Sequence, residues 1–386
     1  MAPWWRHARV TPIRAGSAAE VFRAFLRLGL TSFGGPVAHL GYFRAAFVER
    51  RRWLDDRAFT DLVALCQFLP GPASSQTGFA LGLLRAGLPG ALAAWAGFTL
   101  PSAILMVLFA YGAAFVGVGL LHGLKLVAVA VVAQAVFGMA RTLCPDRPRA
   151  TIATVAAVLL LLAPGAAAQF AALALGALAG LAIGAEAAPP AAALAGAIGR
   201  RTGIACLALY AALLLAPLPP LFAAFYRSGA LVFGGGHVVL PLLRDALVAP
   251  GLVTDPAFLA GYGAAQAVPG PLFTFAAYLG AVAAGLPGAA LALVAIFLPG
   301  MLALLGTLPF WDAVRAAPRA QAAMRGLNAA VVGILAAALY TPVWTGAVLR
   351  PADFAVVLIG FVLLAAWRAP PLLVVALGAA GGAAGF

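Results

Sequence analysis

The chain has 386 residues, of which 64% are hydrophobic and only 9% charged, with a formal net charge of +13. So little polar surface excludes a water-soluble protein of this length and places the chain in a bilayer as an all-α polytopic membrane protein. A transmembrane barrel would show short alternating segments, and nucleic-acid binding would need a contiguous basic face; here the arginines punctuate long apolar blocks.

Residues 1–19 form a basic, polar leader with Arg6, Arg9 and Arg14 and no apolar stretch before a cleavage site, so insertion is expected to rely on internal helices. Residues 20–50 read as two helical pieces broken at Gly34-Gly35-Pro36, and residues 57–86 as two more, broken at Pro70-Gly71-Pro72. Four apolar segments follow at 88–116, 120–141, 150–163 and 166–184. A Pro- and Ala-rich linker, 185–203, carries Arg200 and Arg201. One unrepeated apolar segment, 204–217, is short for a span and is expected to extend toward Phe222. Broken pieces then recur at 220–245 and 255–284, with segments near 288–310, 325–341, 353–366 and 370–386.

That recurrence is visible residue by residue. Phe25, Arg27, Gly29, Phe33-Gly34-Gly35, Leu40 and Arg44 return as Phe225, Arg227, Gly229, Phe233-Gly234-Gly235, Leu240 and Arg244. Asp56, Gln67 and Pro70-Gly71-Pro72 return as Asp255, Gln266 and Pro269-Gly270-Pro271, and Leu100-Pro101 returns as Leu298-Pro299. The chain therefore divides into a first repeat at 20–184, a linker with one unrepeated segment at 185–219, and a second repeat at 220–386. Repeats with glycine and proline breaks inside apolar segments mark secondary transporters, which bind substrate where interrupted helices of two halves meet.

The arginine bias orients the halves. Loop 44–57 holds five arginines and its counterpart 244–256 one; 141–149 holds three and 341–353 one; 112–125 holds a single lysine while 312–325 holds three arginines. The bias reverses each time, which predicts an inverted repeat. With the leader and loop 44–57 both cytoplasmic, 20–50 and 57–86 must enter and return. Each limb has about 14 residues, roughly 20 Å of helix, short of a hydrocarbon core of about 30 Å. The expected architecture is nine spans and four re-entrant hairpins.

Each break starts a helix whose first N–H groups carry the positive end of the dipole, and such termini hold compact oxyanions. Pro36, Pro72 and Pro271 stand where a first turn tolerates proline. The candidate site is built from Gly34, Gly35, Pro36, Pro70, Gly71 and Pro72 in one half. In the other it takes Gly234, Gly235, Gly236, Pro269, Gly270 and Pro271. His39, His237, Ser74, Ser75, Gln76, Thr77 and Thr274 follow the breaks and can donate to an oxyanion. A single such break reads equally well as a packing glycine or a kink; recurrence at matched positions favours a site. Gln67 and Gln266, just before each Pro-Gly-Pro, suit either capping or substrate contact. Arg27 and Arg227 lie at matched positions inside limbs, with Arg23 one turn before Arg27, and are expected to supply charge to a dianion. Arg44 and Arg244 read as interfacial anchors.

Other chemistries find no support. Cys66, Cys144 and Cys206 are isolated, there is no HExxH, GxSxG or GxxxxGK[ST] motif, and no acid lies plainly within a span. Neither an enzyme nor a bound cofactor or metal is expected. The partners expected are a small oxyanion and the lipid bilayer, with the coupling ion left open by the residues; Gly- and Ala-rich segments would permit a homodimer, and no nucleic acid is implied.

The paired FGGP/FGGG and PGP motifs, the segment Trp53-Leu54-Asp55-Asp56 and the two opposed halves resemble the chromate ion transporter family in its long two-domain form, over about residues 20–386. The resemblance implies a bacterial inner-membrane protein that exports chromate and confers resistance, driven by the proton-motive force. Chromate is a tetrahedral dianion of sulfate shape. The halves depart from one another where Pro36 becomes Gly236 and Trp53 becomes Leu252. Sulfate or another small oxyanion as substrate, and an anion channel on the same fold, are the competing readings.

Overall fold

The computed structural model describes residues 16–33, 35–112, 118–163, 166–184, 198–233 and 238–383, and among these it is helical throughout, with no strand. Helix α1 (Ala18–Thr31) starts at Ser17, whose hydroxyl accepts the Glu20 N–H at 3.1 Å. After a break at Ser32-Phe33, α2 (Gly35–Phe43) runs into a π-helical stretch, Arg44–Arg50. Asp55 caps α3 (Asp56–Phe68) by accepting the Ala58 N–H at 2.7 Å. A second break at Leu69–Pro72 leads into α4 (Ala73–Gly112). The second repeat repeats this order with α9 (Pro220–Ala230), α10 (Val239–Leu247) and α11 (Asp255–Ala265). A short 3-10 turn, Leu272–Thr274, then opens α12 (Phe275–Thr307).

Helices α4 and α12 each fold back on themselves. Ala86 and Gly87 (φ −145° and 63°) are matched by Ala284 and Gly285 (φ −152° and 64°). The Gly82 carbonyl lies 2.4 Å from the point a Cβ on Gly90 would occupy, and the Gly280 carbonyl 2.3 Å from that on Gly288. A continuous helix would hold residues eight apart at about 12 Å. Each is therefore a limb (73–85, 275–283) turning into an antiparallel helix (88–112, 286–307). Only glycine adopts that positive φ without strain, and only glycine lets the two backbones touch.

Between and after these lie α5 (Val118–Leu143), α6 (Arg147–Leu162), α7 (Ala166–Ile183), α8 (Arg200–Leu215), α13 (Trp311–Ala316), α14 (Pro318–Ala338), α15 (Pro351–Ala365) and α16 (Pro371–Ala383). The segments 88–112, α5 to α8, 286–307 and α14 to α16 fall where nine spans are expected. Ala73–Gly112, Gly119–Leu143, Leu272–Val314 and Pro318–Thr341 are long and apolar enough to cross a membrane, and the first and third are the folded-back pairs. This is a multi-pass membrane protein of two inverted repeats.

Two boundaries differ from expectation. Helix α8 does not extend toward Phe222: it stops at Leu215, because Pro217, Pro219 and Pro220 bar the helical conformation before them, and Phe222 belongs to α9. Its length comes from the other end, at Arg200. Helix α14 starts at Pro318, so Arg319 and Arg325 occupy its first turns instead of a loop.

The repeats are interleaved. Helix α5 of the first packs against α15 and α16 of the second, while α14 of the second packs against α6 and α7 of the first. Small residues allow both contacts: Gly123 meets Gly378 and Gly119 meets Gly382, as Gly326 meets Gly176 and Ala322 meets Gly180.

Candidate functional site

The breaks of one half are tied to those of the other by a reciprocal pair of backbone hydrogen bonds. The Gly71 N–H donates to the Val232 carbonyl at 2.7 Å, and the Gly270 N–H donates to the Ser32 carbonyl at 2.9 Å. Gly71 and Gly270 are repeat equivalents, and so are Ser32 and Val232, so each Pro-Gly-Pro reaches the residue before the opposite Phe-Gly-Gly. Both glycines have positive φ, 120° and 96°. A Cβ on Gly71 would stand 2.9 Å from the Gly300 Cα, and one on Gly270 2.8 Å from the Ser102 Oγ, again equivalent positions. The exchange is that of a pseudo-two-fold axis running through the breaks. Pro36 lies in the first turn of α2, while Pro72 and Pro271 immediately precede α4 and the 3-10 turn. Pro70 and Pro269 complete the two Pro-Gly-Pro turns. Gly34, Gly234, Gly235, Gly236 and His237 lie outside the described residues.

Polar side chains gather on one side of this axis. His39 is fully buried, with Nδ1 3.4 Å from the Ser74 Oγ and its ring edge-on to Phe98 at 5.1 Å. Gln76 Nε2 donates to the carbonyls of Pro70 and Gly300, both at 2.9 Å, fixing the first break to the second repeat. Of eleven buried polar side-chain atoms without a protein partner among the described residues, six belong to the breaks and the segments that meet them: Ser32 Oγ, His39 Nε2, Ser75 Oγ, Gln76 Oε1, Thr99 Oγ1 and Gln266 Nε2. Each would cost about 1–3 kcal/mol if left unpaired, so their clustering around the breaks points to a polar ligand. The Ser102 hydroxyl donates to the Thr99 carbonyl at 3.1 Å, beside Gly270. In the second repeat Ser32, His39, Thr99 and Ser102 are replaced by Val232, Val239, Phe297 and Gly300. The candidate site is asymmetric, with its unpartnered hydroxyl and imidazole groups in the first repeat and only the Gln266 amide, among the described residues, in the second.

Not every expected residue belongs to it. Thr77 and Thr274 turn their hydroxyls back onto the Ala73 and Pro271 carbonyls, both at 2.8 Å. Gln67 is exposed, whereas Gln266, at the end of α11, keeps a buried side-chain Nε2 without a protein partner beside the second Pro-Gly-Pro and so remains with the site. Arg27 and Arg227 are not brought to the breaks. Arg27 lies across α1 from the buried Phe25 and Gly29, on the exposed stripe of Arg23 and Leu30, and Arg227 donates to the Ala216 carbonyl at 3.1 Å. Helical period, which places residues two apart about 200° around the axis, turns them outward. Arg44 and Arg244 do more than anchor. Arg244 grips Asp255 with two hydrogen bonds of 2.9 Å, and Arg44 Nε donates to Asp56 at 2.6 Å, so each first hairpin is clamped to the start of the next. Ser32, Thr99 and Ser102 escaped the sequence reading, although the aligned Leu100-Pro101 and Leu298-Pro299 flank the last two substitutions.

Residues 19–185 and 219–385 each match the Chromate transporter family. The chain belongs to that family. It is 30% identical over 356 residues to a chromate transport protein of Pseudomonas aeruginosa, covering 83% of this chain and 80% of the relative. A chromate transport protein of Cupriavidus metallidurans is 30% identical over 331 residues, 82% of this chain and 80% of the relative. A probable chromate transport protein of Synechococcus elongatus is 29% identical over 335 residues, 84% of each chain. No solved structure matches the chain. The family's two matched regions coincide with the two structural repeats, and the reciprocal bonds join them at their breaks.

Proposed function

We propose that this protein is a secondary active transporter that exports chromate across the bacterial inner membrane and so confers chromate resistance, with protons as the coupling ion. The oxyanion binds where the Pro-Gly-Pro turns of the two repeats cross. The observation that carries this reading is the crossed Gly71–Val232 and Gly270–Ser32 pairing, with buried, unpartnered hydroxyl and imidazole groups beside it.

Helix starts that follow the breaks, as α2 and α4 do, contribute about half a positive charge each toward a dianion. Ser32, Ser75 and Thr99 supply hydroxyl donors and His39 an imidazole N–H, neutral groups that hold a tetrahedral oxyanion without fixing a counter-charge in the membrane. The absence of arginine from the described site favours release as well as binding: a permanent guanidinium would hold the dianion too tightly for turnover. Transport in proteoliposomes, comparing chromate with sulfate under imposed pH and voltage gradients, tests the reading. Uphill chromate movement driven by a pH gradient is the expected result. Movement only down its own gradient would mean a channel, and preference for sulfate would replace the substrate.

A further inference from the structure

Away from the breaks, one carboxylate is fully buried and bridges the two repeats. Asp353, near the start of α15, has a side chain with no exposed surface. Its Oδ1 lies 3.0 Å from Nε2 of His122 on α5, and its Oδ2 accepts the Leu349 and Arg350 N–H groups at 3.0 Å. Arg350 also reaches Oδ1 at 3.2 Å. His122 keeps 19% of its side-chain surface exposed, an opening for protons. On the elements packed around the pair, the other charged or titratable groups are Lys125 and Arg141 on α5, Asp255 and Tyr262 on α11, Tyr340 in the π-helical turn before α15, and Arg319 and Arg325 on α14; α16 carries none. Of the charged groups named, Arg350 is hydrogen-bonded to the pair.

The repeat itself separates a functional pair from a structural tie. Helix α14 packs against α6 and α7 as α5 packs against α15 and α16. The glycine crossings align Gly123 with Gly326 and Gly119 with Ala322, which makes Arg325 the counterpart of His122. Pro148 and Pro351 open α6 and α15, which makes Ala150 the counterpart of Asp353. The same helix contact is thus built in the other half without an ion pair. The interface does not require His122 and Asp353; they are added to one copy.

The geometry points to His122 and Asp353 as the proton-binding site of the transporter. This rests on the proton-coupled reading above and names its titrating groups. A proton taken up on the free imidazole nitrogen system gives an imidazolium held by the Asp353 carboxylate; its release leaves neutral imidazole beside the same carboxylate, with one proton exchanged and no other bond changed. Imidazole is the side chain whose ordinary pKa lies within the physiological range. A contact path leads to the substrate breaks. The Leu124 carbonyl, two residues from His122, lies 2.2 Å from the point a Cβ on Gly263 would occupy, so α5 and α11 touch backbone to backbone. Helix α11 then runs directly into Pro269-Gly270-Pro271, seven residues beyond Gly263. A shift of α5 on protonation is therefore delivered to the second break.

The test uses full-length protein in proteoliposomes with a trapped pH dye, reading proton flux, chromate accumulation and chromate–chromate exchange. H122Q is expected to lose proton flux and to cut pH-gradient-driven accumulation about tenfold or more, while exchange persists. Persistence of proton flux at the parent's ratio to chromate would overturn the assignment and leave the transporter reading intact. If the parent itself moves no protons with chromate, the coupled reading fails first, and this site with it. D353N provides a second arm should H122Q not reach the membrane. With the carboxylate that holds the transferred proton removed, D353N should lower the number of protons moved per chromate while chromate–chromate exchange persists. A parent-like ratio in D353N would refute the pair. Lys125→Gln should leave both readouts unchanged.

Discussion

Adding one methyl group at Gly71 tests whether the crossed breaks form the transport site. Gly71 has φ 120°, where a non-glycine residue costs about 1–3 kcal/mol. Its Cβ would stand 2.9 Å from the Gly300 Cα, a backbone atom of the opposite repeat that cannot swing aside, and 3.1 Å from Gln76 Nε2. Relief requires the break to part from the span 286–307, which breaks the Gly71–Val232 hydrogen bond and the Gln76–Gly300 bond, each contributing about 1 kcal/mol. The sum, about 3–5 kcal/mol, is an upper bound because neighbours relax. Even one-third of it corresponds to about a tenfold loss, at about 1.4 kcal/mol per factor of ten. Gly71→Ala should therefore lower the initial rate of chromate transport in proteoliposomes at least about tenfold, and Gly270→Ala similarly, since its Cβ would meet Ser102 Oγ at 2.8 Å. Gly138→Ala is the control: nothing lies within 4 Å of its added Cβ. Parent-like transport by both motif variants, or an equal loss in the control, would refute the reasoning.

Thr99→Val and Ser75→Ala should each weaken apparent chromate affinity by about 1.5–3 kcal/mol, roughly ten- to a hundredfold in the half-saturating concentration, because a neutral donor to a charged ligand is lost. Thermal melting without substrate should not fall, since neither hydroxyl has a protein partner. Arg27→Gln should change transport less than about threefold, as expected of a residue on an exposed stripe. A double-mutant cycle on Arg244 and Asp255, read as melting temperature, should give a coupling of at most about 1 kcal/mol, because the two side chains are 27% and 41% exposed. Single cysteines at Arg51 and Gly251 should label from opposite sides of the membrane; labelling from one side would contradict the inversion.

Much of the architecture was legible because glycine and proline punctuate apolar sequence in a way that admits few alternatives. The expected divisions between 86 and 88 and between 284 and 288 fall at the turns within α4 and α12, and the Pro-Gly-Pro pairs announced the breaks. The ends of α8 could be misjudged because hydrophobicity continues past Leu215, whereas the backbone obeys the prolines at 217, 219 and 220. The breaks of the candidate site are legible in sequence, but the side chains that line them are not all local to the breaks. Ser74 and His39 stand next to the breaks in sequence, while Thr99 and Ser102 arrive from a helix that begins after a chain reversal. Arg27 and Arg227 share a position along their helices, but helical period sets their direction around the axis, and both are exposed. The Asp353–His122 pair joins residues 231 apart, and no local pattern reports it.

The interleaving of α5 and α14 has a consequence for how the molecule is made. When the first repeat leaves the ribosome, α5 has no partner; the grooves of α15 and α16 that cover its glycine face are synthesised more than 200 residues later. Helices α6 and α7 wait likewise for α14. Neither half can complete its own packing, so each, expressed alone, should be short-lived and recognised as orphaned by membrane quality control. Expressed together as separate chains cut within 185–197, they should rescue one another, and the rescued pair should resist separation in mild detergent because each holds a helix belonging to the other's bundle.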